Sequence, residues 1–384
     1  MRPEAPGPPR PVPAGTGLPG PAPGAARPGN PAARTPRVRT GPGPAPSATK
    51  ATVVRAVDAP GPTLVLRVDR LPVGTLALGG ELARLRHALA RTRYPRLDKI
   101  ALYGPAARPG HSLDYRFMQV LPDGRFDFRA GCGHSLLACV VAEGQPGPVT
   151  VRAVTTGDTV LCEREGAAYT LSFLKAPAAP GTLPTGRALD HLLGVPVSIV
   201  RYGNPYVFVD ARHLPEADAV NAAAAAAAAH AAAAAEESAE SGAARAAHAA
   251  HAAHAAHAAH AVHAADAALQ ARLLALRACA ARLLGHPPHS ALPKIAAFTT
   301  GPGGLSVRAL TVGGWHPRLA LTGAAALAAA GALDGTVVPA TSGPVRTPGG
   351  TVTVSTAPDR VRVHHKRAEV LEELELPWRV HATA

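Results

Sequence analysis

The chain has 384 residues, of which 40 are Pro and 38 Gly, and a formal net charge of +13. Aromatics reach 4% and charged residues 17%, so much of the 47% apolar fraction is alanine, and the core it can build is smaller than that figure implies. Four cysteines (Cys132, Cys139, Cys162, Cys279) are too few for a disulfide scaffold, no apolar run approaches the roughly 20 residues of a membrane helix, and no secretory signal is read at the start, which leaves a cytoplasmic globular protein of one large or two medium domains.

Residues 1–48, rich in Pro, Gly, Ala and Arg, cannot bury enough apolar surface to offset the entropy of ordering and read as a disordered tail. Six arginines against one glutamate place +5 of the net charge there. The remaining charge is dispersed, with neither a basic stripe interleaved with aromatics nor a nucleic-acid module, so neither nucleic acid nor membrane is an expected partner. Strands are expected at Thr52–Val57 and Thr63–Val68, a helix at Leu82–Arg91, and a strand at Lys99–Tyr103. Asp114–Val120 and Arg125–Arg129 form a hairpin pattern around Pro122-Asp123-Gly124. Next comes Gly131-Cys132-Gly133-His134 and then Ser135–Ala142, a helix apolar all round, which belongs inside a core. Strands follow at Val149–Val154, Thr159–Glu163 and Tyr169–Leu174, then a Pro-rich link and a short helix at Arg187–Leu193.

The second half repeats the plan: strands at Val197–Tyr202, Tyr206–Val209, Lys294–Phe298 and Ser306–Val312, then a turn into an alanine-rich helix, Ala324–Ala332. Ala219–Ala268 interrupts it with nearly pure alanine and histidines at 248, 251, 254, 257, 260 and 263. As one helix it would extend about 75 Å, so it reads as an exposed insertion. A histidine period of three winds around a helix instead of lining one face, so no metal site is assigned. The expected fold class is α+β: two similar halves, each a mostly antiparallel sheet wrapped around a central apolar helix.

Cys132 is the most informative position. Its flanking glycines let backbone approach a ligand, and the positive end of the following helix favours a thiolate or a bound carboxylate. Lys99 enters an apolar strand, a setting in which a lysine can work as an acid or base. Asn204, in Gly203-Asn204-Pro205, is either a turn residue or a site residue.

Lys99–Glu143 resembles the core of the PrpF-type family, the 2-methylaconitate cis–trans isomerases and 3-methylitaconate isomerases of diaminopimelate-epimerase-like fold. "GNPYVFVDA" (Gly203–Ala211), "PKIAAF" (Pro293–Phe298), "HPRLALTGAAALAAAGALDGTV" (His316–Val337) and "PGGTVTV" (Pro348–Val354) resemble further family segments in the same order. The resemblance implies a cofactor-independent proton shift or cis–trans isomerisation of a small unsaturated di- or tricarboxylic acid, with Cys132 and Lys99 as the acid–base pair. It further implies that Gly131, Gly133, His134, Asn204, Thr322, Gly323, Gly349 and Gly350 hold the substrate. It implies halves at 49–185 and 186–365, with the insertion at 219–268, and a terminal segment, 366–384, packing back on the first half; self-association is compatible with all of this. Several turns depart from the family pattern. Gly131 and His134 replace asparagines, Asp98 replaces a serine before Lys99, Arg67–Gly74 replaces a Gly-Gly-Thr-Ser-Lys-Gly loop, and Thr347–Gly350 replaces His-Pro-Ser-Gly. A changed substrate is the expectation these carry; a non-catalytic binding protein of the same fold is the alternative.

Overall fold

The computed structural model describes residues 49–72, 74–217, 220, 222, 244–312 and 314–376. The expected tail at 1–48 and most of the alanine run before Ala244 lie outside the described residues.

In chain order the first elements are β1 (Thr49–Ala56), β2 (Thr63–Arg67), α1 (Thr75–Leu89), β3 (Lys99–Pro105), β4 (Leu113–Val120), β5 (Phe126–Asp127), α2 (Gly133–Glu143), β6 (Val149–Ala153), β7 (Thr159–Glu165) and β8 (Ala168–Phe173). Then come β9 (Asp190–Leu192), β10 (Val195–Tyr202), β11 (Asn204–Asp210), α3 (Ala244–Leu283), β12 (Lys294–Gly301), β13 (Gly304–Thr311), β14 (Gly314–Trp315), α4 (Leu321–Gly331), β15 (Gly343–Thr347), β16 (Gly350–Ala357), β17 (Arg360–Lys366) and β18 (Ala368–Leu376).

Strand pairing reveals an internal duplication. One sheet runs β18-β1-β2-β3-β4-β6-β7-β8, with parallel pairs only at β2–β3 and β4–β6. The other runs β9-β10-β11-β12-β13-β15-β16-β17, with parallel pairs only at β11–β12 and β13–β15. The side strands match too, β5 on β4 and β14 on β13, and an antiparallel β8–β17 pairing joins the sheets. Because a parallel pair needs a crossover, each sheet has a helix between its parallel neighbours: α1 between β2 and β3, and α3 between β11 and β12.

Burial follows that layering. In the central strands almost every residue is buried, as in β3 and β11, because helices cover both faces of each sheet. The inner helices α2 and α4 share one core with both sheets, including Leu137, Cys139, Phe173, Tyr206, Leu321 and Ala325. On the outer faces, α1 covers the first sheet through Leu78, Leu82, Leu85 and Leu89. The second sheet is covered by α3 through Leu269, Leu273, Leu276 and Ala280. That spacing of four, three and four is one helix face. Gly144, at φ 66, ends α2 in the left-handed conformation and donates its N–H to Val140.

One sequence expectation changes. Arg187–Leu193 is not a helix: Leu193 and Gly194 both have positive φ (50 and 79) and form a two-residue turn that pairs Leu192 with Val195. The alanine-histidine run from Ala244 onward continues as one helix into the turns from Leu269 to Leu283 that pack on the second sheet. Among the described residues no helix is long and apolar enough to cross a membrane.

Candidate functional site at the paired helix starts

The two inner helices meet at their first turns. Cys132 is the extended N-cap residue of α2 (φ −140, ψ 106), and Ala320 holds the same place before α4, which is also 11 residues long. The approach is close: a Cβ on Gly133 would lie 2.6 Å from Leu321 Cδ2 and 2.8 Å from its Cβ. Only glycine lets the helix starts come together here. Gly323 is constrained alike, since a Cβ there would stand 2.7 Å from the Tyr206 hydroxyl.

Cys132 is partly exposed, whereas Cys139, one α2 face-repeat later, is fully buried in the core. The Tyr115 hydroxyl donates to the Cys132 carbonyl at 2.9 Å. Asn204 ties the cysteine turn to the second half: its side-chain oxygen accepts from the Gly131 N–H at 2.7 Å, and its amide donates to the Gly131 carbonyl at 2.8 Å and to Thr322 Oγ1 at 3.4 Å. With its amide so engaged, Asn204 positions the turn; Thr322 stands beside it. Gly349 and Gly350 pack instead against Pro317 and Arg318, so they support Arg318 and not the cysteine turn.

Lys99 is buried, and its ammonium donates to the Gly61 carbonyl at 3.1 Å. His134 and His316 stack with ring centroids 6.0 Å apart and planes 20° apart. Burial first, then His316, Lys366 and Lys99, holds His134 well below the usual histidine range. His316 is pushed down to about 4 by burial and then by Lys99. Both rings are therefore neutral at neutral pH. The Arg318 N–H donates to His316 Nδ1 at 3.1 Å, which leaves the ring proton on Nε2. Behind the pair, Asp58 links Lys366 at 2.6 Å and Arg318 at 2.9 Å.

Lys294 was missed from sequence. It opens β12 as Lys99 opens β3, and in each half the residue after the lysine sits opposite an apolar residue of the parallel partner strand: Ile100 opposite Leu64, and Ile295 opposite Val207. The repeated Lys-Ile-Ala at 99–101 and 294–296 was the available signal. Burial, and then the Arg277 guanidinium, pushes the Lys294 ammonium down to about 8, while Cys132 and Asp127 pull the other way. The nearby carboxylate of Asp127 is already committed. It accepts from Ala291 N–H at 2.7 Å, Arg129 N–H at 2.9 Å and Ser290 Oγ at 3.0 Å, and these bonds hold it below the usual carboxylate range against the opposing effect of burial. The Lys294 ammonium thus lies in electrostatic reach of Cys132, while Asp158, whose carboxyl burial pushes up, lines the same small cavity as the thiol.

Space is uneven. A cavity of about 20 Å³ touches Cys132, Gly131, Gly203 and Thr322, room for roughly one water. A cleft of about 360 Å³ opens at Lys294. A larger cavity, about 810 Å³, is lined by Arg70, Arg116 and Arg152 and touches neither Cys132 nor Lys99.

Two sheets, each closed on an inner helix, with the helix starts apposed, define the diaminopimelate-epimerase-like fold, and the chain has it. Methylitaconate-delta-isomerase shares that fold with a TM-score of 0.52 at 19% identity, over 85% of this chain and 94% of that one. A hydroxyproline epimerase from Agrobacterium vitis aligns at 0.46 and 15% identity, over 86% and 92% of the two chains. A phenazine biosynthesis protein of the PhzF family from Enterococcus faecalis aligns at 0.40 and 11%, over 85% and 98%. No family model and no curated relative matches the chain.

Proposed function

We propose that the protein is a cofactor-independent isomerase that moves a proton on a small unsaturated di- or tricarboxylic acid, with Cys132 and Lys99 as its acid–base pair. The observation that carries this reading is the position of a partly exposed thiol on the N-cap of a buried helix, in electrostatic reach of the Lys294 ammonium. The fold shared with methylitaconate-delta-isomerase supports it.

The chemistry follows from those groups. A base of the pair removes a proton from the carbon next to the conjugated system. The charge spreads into the adjoining carboxylate, which the unpaired N–H groups of a helix start and the nearby ammonium groups stabilise. Return of the proton at the far carbon completes a 1,3-shift, and the bond that is transiently single permits cis–trans change. Neutral His134 and His316 supply dipoles and no competing charge. Thr322, on the first turn of α4, is the second half's residue that lines the small cavity beside Cys132, so in this reading acid and base both come from the first half.

Incubation with a panel of unsaturated di- and tricarboxylates in deuterated water tests the reading. Wild type incorporates deuterium at the allylic carbon and Cys132→Ser does not. Binding of these acids without exchange by wild type contradicts it and leaves a binding protein of the same fold.

A further inference from the structure

We propose that Lys294 holds the substrate's second carboxylate, the one remote from the reacting carbon, in the cleft between the Leu121–Asp123 turn and helix α3, and so makes the site selective for acids with at least two carboxylates. This inference rests on the isomerase reading above.

The cleft is about 360 Å³ and is lined from both halves, by Leu121, Pro122 and Asp123 of the β4–β5 turn, by Leu274 and Arg277 of α3, and by Ser290, Ala291 and Lys294. Each other charged group facing it is spoken for. The Arg277 guanidinium donates to the Pro293 carbonyl at 2.7 Å and also to the Ser290 carbonyl. Asp123 pairs with Arg125 at 2.5 Å. Lys294 alone among these makes no hydrogen bond or ion pair within the described residues, although a partly buried ammonium without a partner is costly. Its neighbours do not explain it as a structural cation. The Asp127 carboxylate is consumed by Arg129, Ser290 and Ala291, and those bonds fix the loop that leads into Lys294.

Position adds the second argument. By strand register Lys294 is the second half's counterpart of Lys99, and it interacts electrostatically with both Lys99 and Cys132. Lys294 therefore links the cleft, whose lining includes neither Cys132 nor Lys99, to the reacting pair by charge. A carboxylate held in the cleft meets an unsatisfied ammonium, and an acid with a methyl group in its place leaves that ammonium unpaired. A charge-assisted contact of this kind is worth about 10- to 100-fold in affinity.

Calorimetry with glutaconate, an unsaturated five-carbon dicarboxylate, and 3-pentenoate, its monocarboxylate counterpart, separates the outcomes. Wild type is expected to bind glutaconate about 10- to 100-fold more tightly than 3-pentenoate. Lys294→Met, with its melting temperature checked, abolishes that preference by weakening glutaconate alone, and Lys294→Arg keeps most of it. Equal weakening of both acids, or a preference that survives in Lys294→Met, overturns the assignment while leaving the isomerase reading standing. Failure of wild type to bind either acid overturns the carboxylate site as a whole, and this inference with it.

Discussion

At the scale of single residues the stacked pair of His134 and His316 shows how the fold sets charge. His316 titrates near its ordinary value of 6.5 in the unfolded chain but at about 4 in the folded one, so between those pH values the unfolded state binds more protons. Its contribution is complete above pH 6.5 and is lost as pH falls toward 4, a cost of about 3 kcal/mol by the bottom of that window. His134 acts in the same sense. Urea midpoints measured from pH 7.5 to 4.5 should fall more steeply for wild type than for His316→Gln; parallel curves would show that the rings are not held neutral. Cys132 and Lys99 were legible in the sequence because each sits at a marked boundary, a Gly-Cys-Gly turn and a strand entry. Lys294 and His316 were not, since what defines them is the company they keep across the two halves, and only their short sequence contexts repeat or stand out.

Among the elements, the meeting of α2 and α4 is the tightest constraint on the site. The contact at Gly133 is with Leu321 Cβ as well as its side-chain end, so rotamer change cannot relieve an added methyl and the helix starts must separate. Gly133→Ala is expected to cost about 1–3 kcal/mol. Gly80, exposed in the interior of α1 with nothing within 4 Å of an added Cβ, supplies the contrast. Gly80→Ala should stabilise by about 0.5–1 kcal/mol. Denaturant midpoints of the two variants moving in the same direction would contradict this account of the interface. The inner helices were readable from sequence because both are apolar on every side. The packed end of α3 was hidden by the alanine run before it, which carries no apolar stripe until Leu269, and β9 by a three-residue length that only its turn with β10 defines.

On the scale of the whole molecule the chain's end completes its beginning. β18 pairs antiparallel with β1 from Thr49–Leu376 to Ala56–Ala368, and Leu376 is buried in the core beneath α1. No local pattern in the sequence specifies that partner, more than 300 residues away, whereas the twofold repetition of strand, helix and strand is visible in each half. Removing residues 367–384 should strip β1 of its neighbour. Amide exchange in Thr49–Ala56 would then rise while the second sheet, β9 to β17, keeps its protection; unchanged protection in β1 would mean that β18 is dispensable. The same duplication gives the site its asymmetry: each half contributes a lysine at the entry of its parallel strand pair, but only the first contributes a thiol. The most direct test of that arrangement is proton exchange into glutaconate, whose 1,3-shift regenerates the same acid, followed by NMR in deuterated water. Wild type should label both allylic positions, and Cys132→Ser and Lys99→Met should each slow labelling by about 100-fold or more. Labelling at the wild-type rate in both folded variants would contradict the assignment of the acid–base pair.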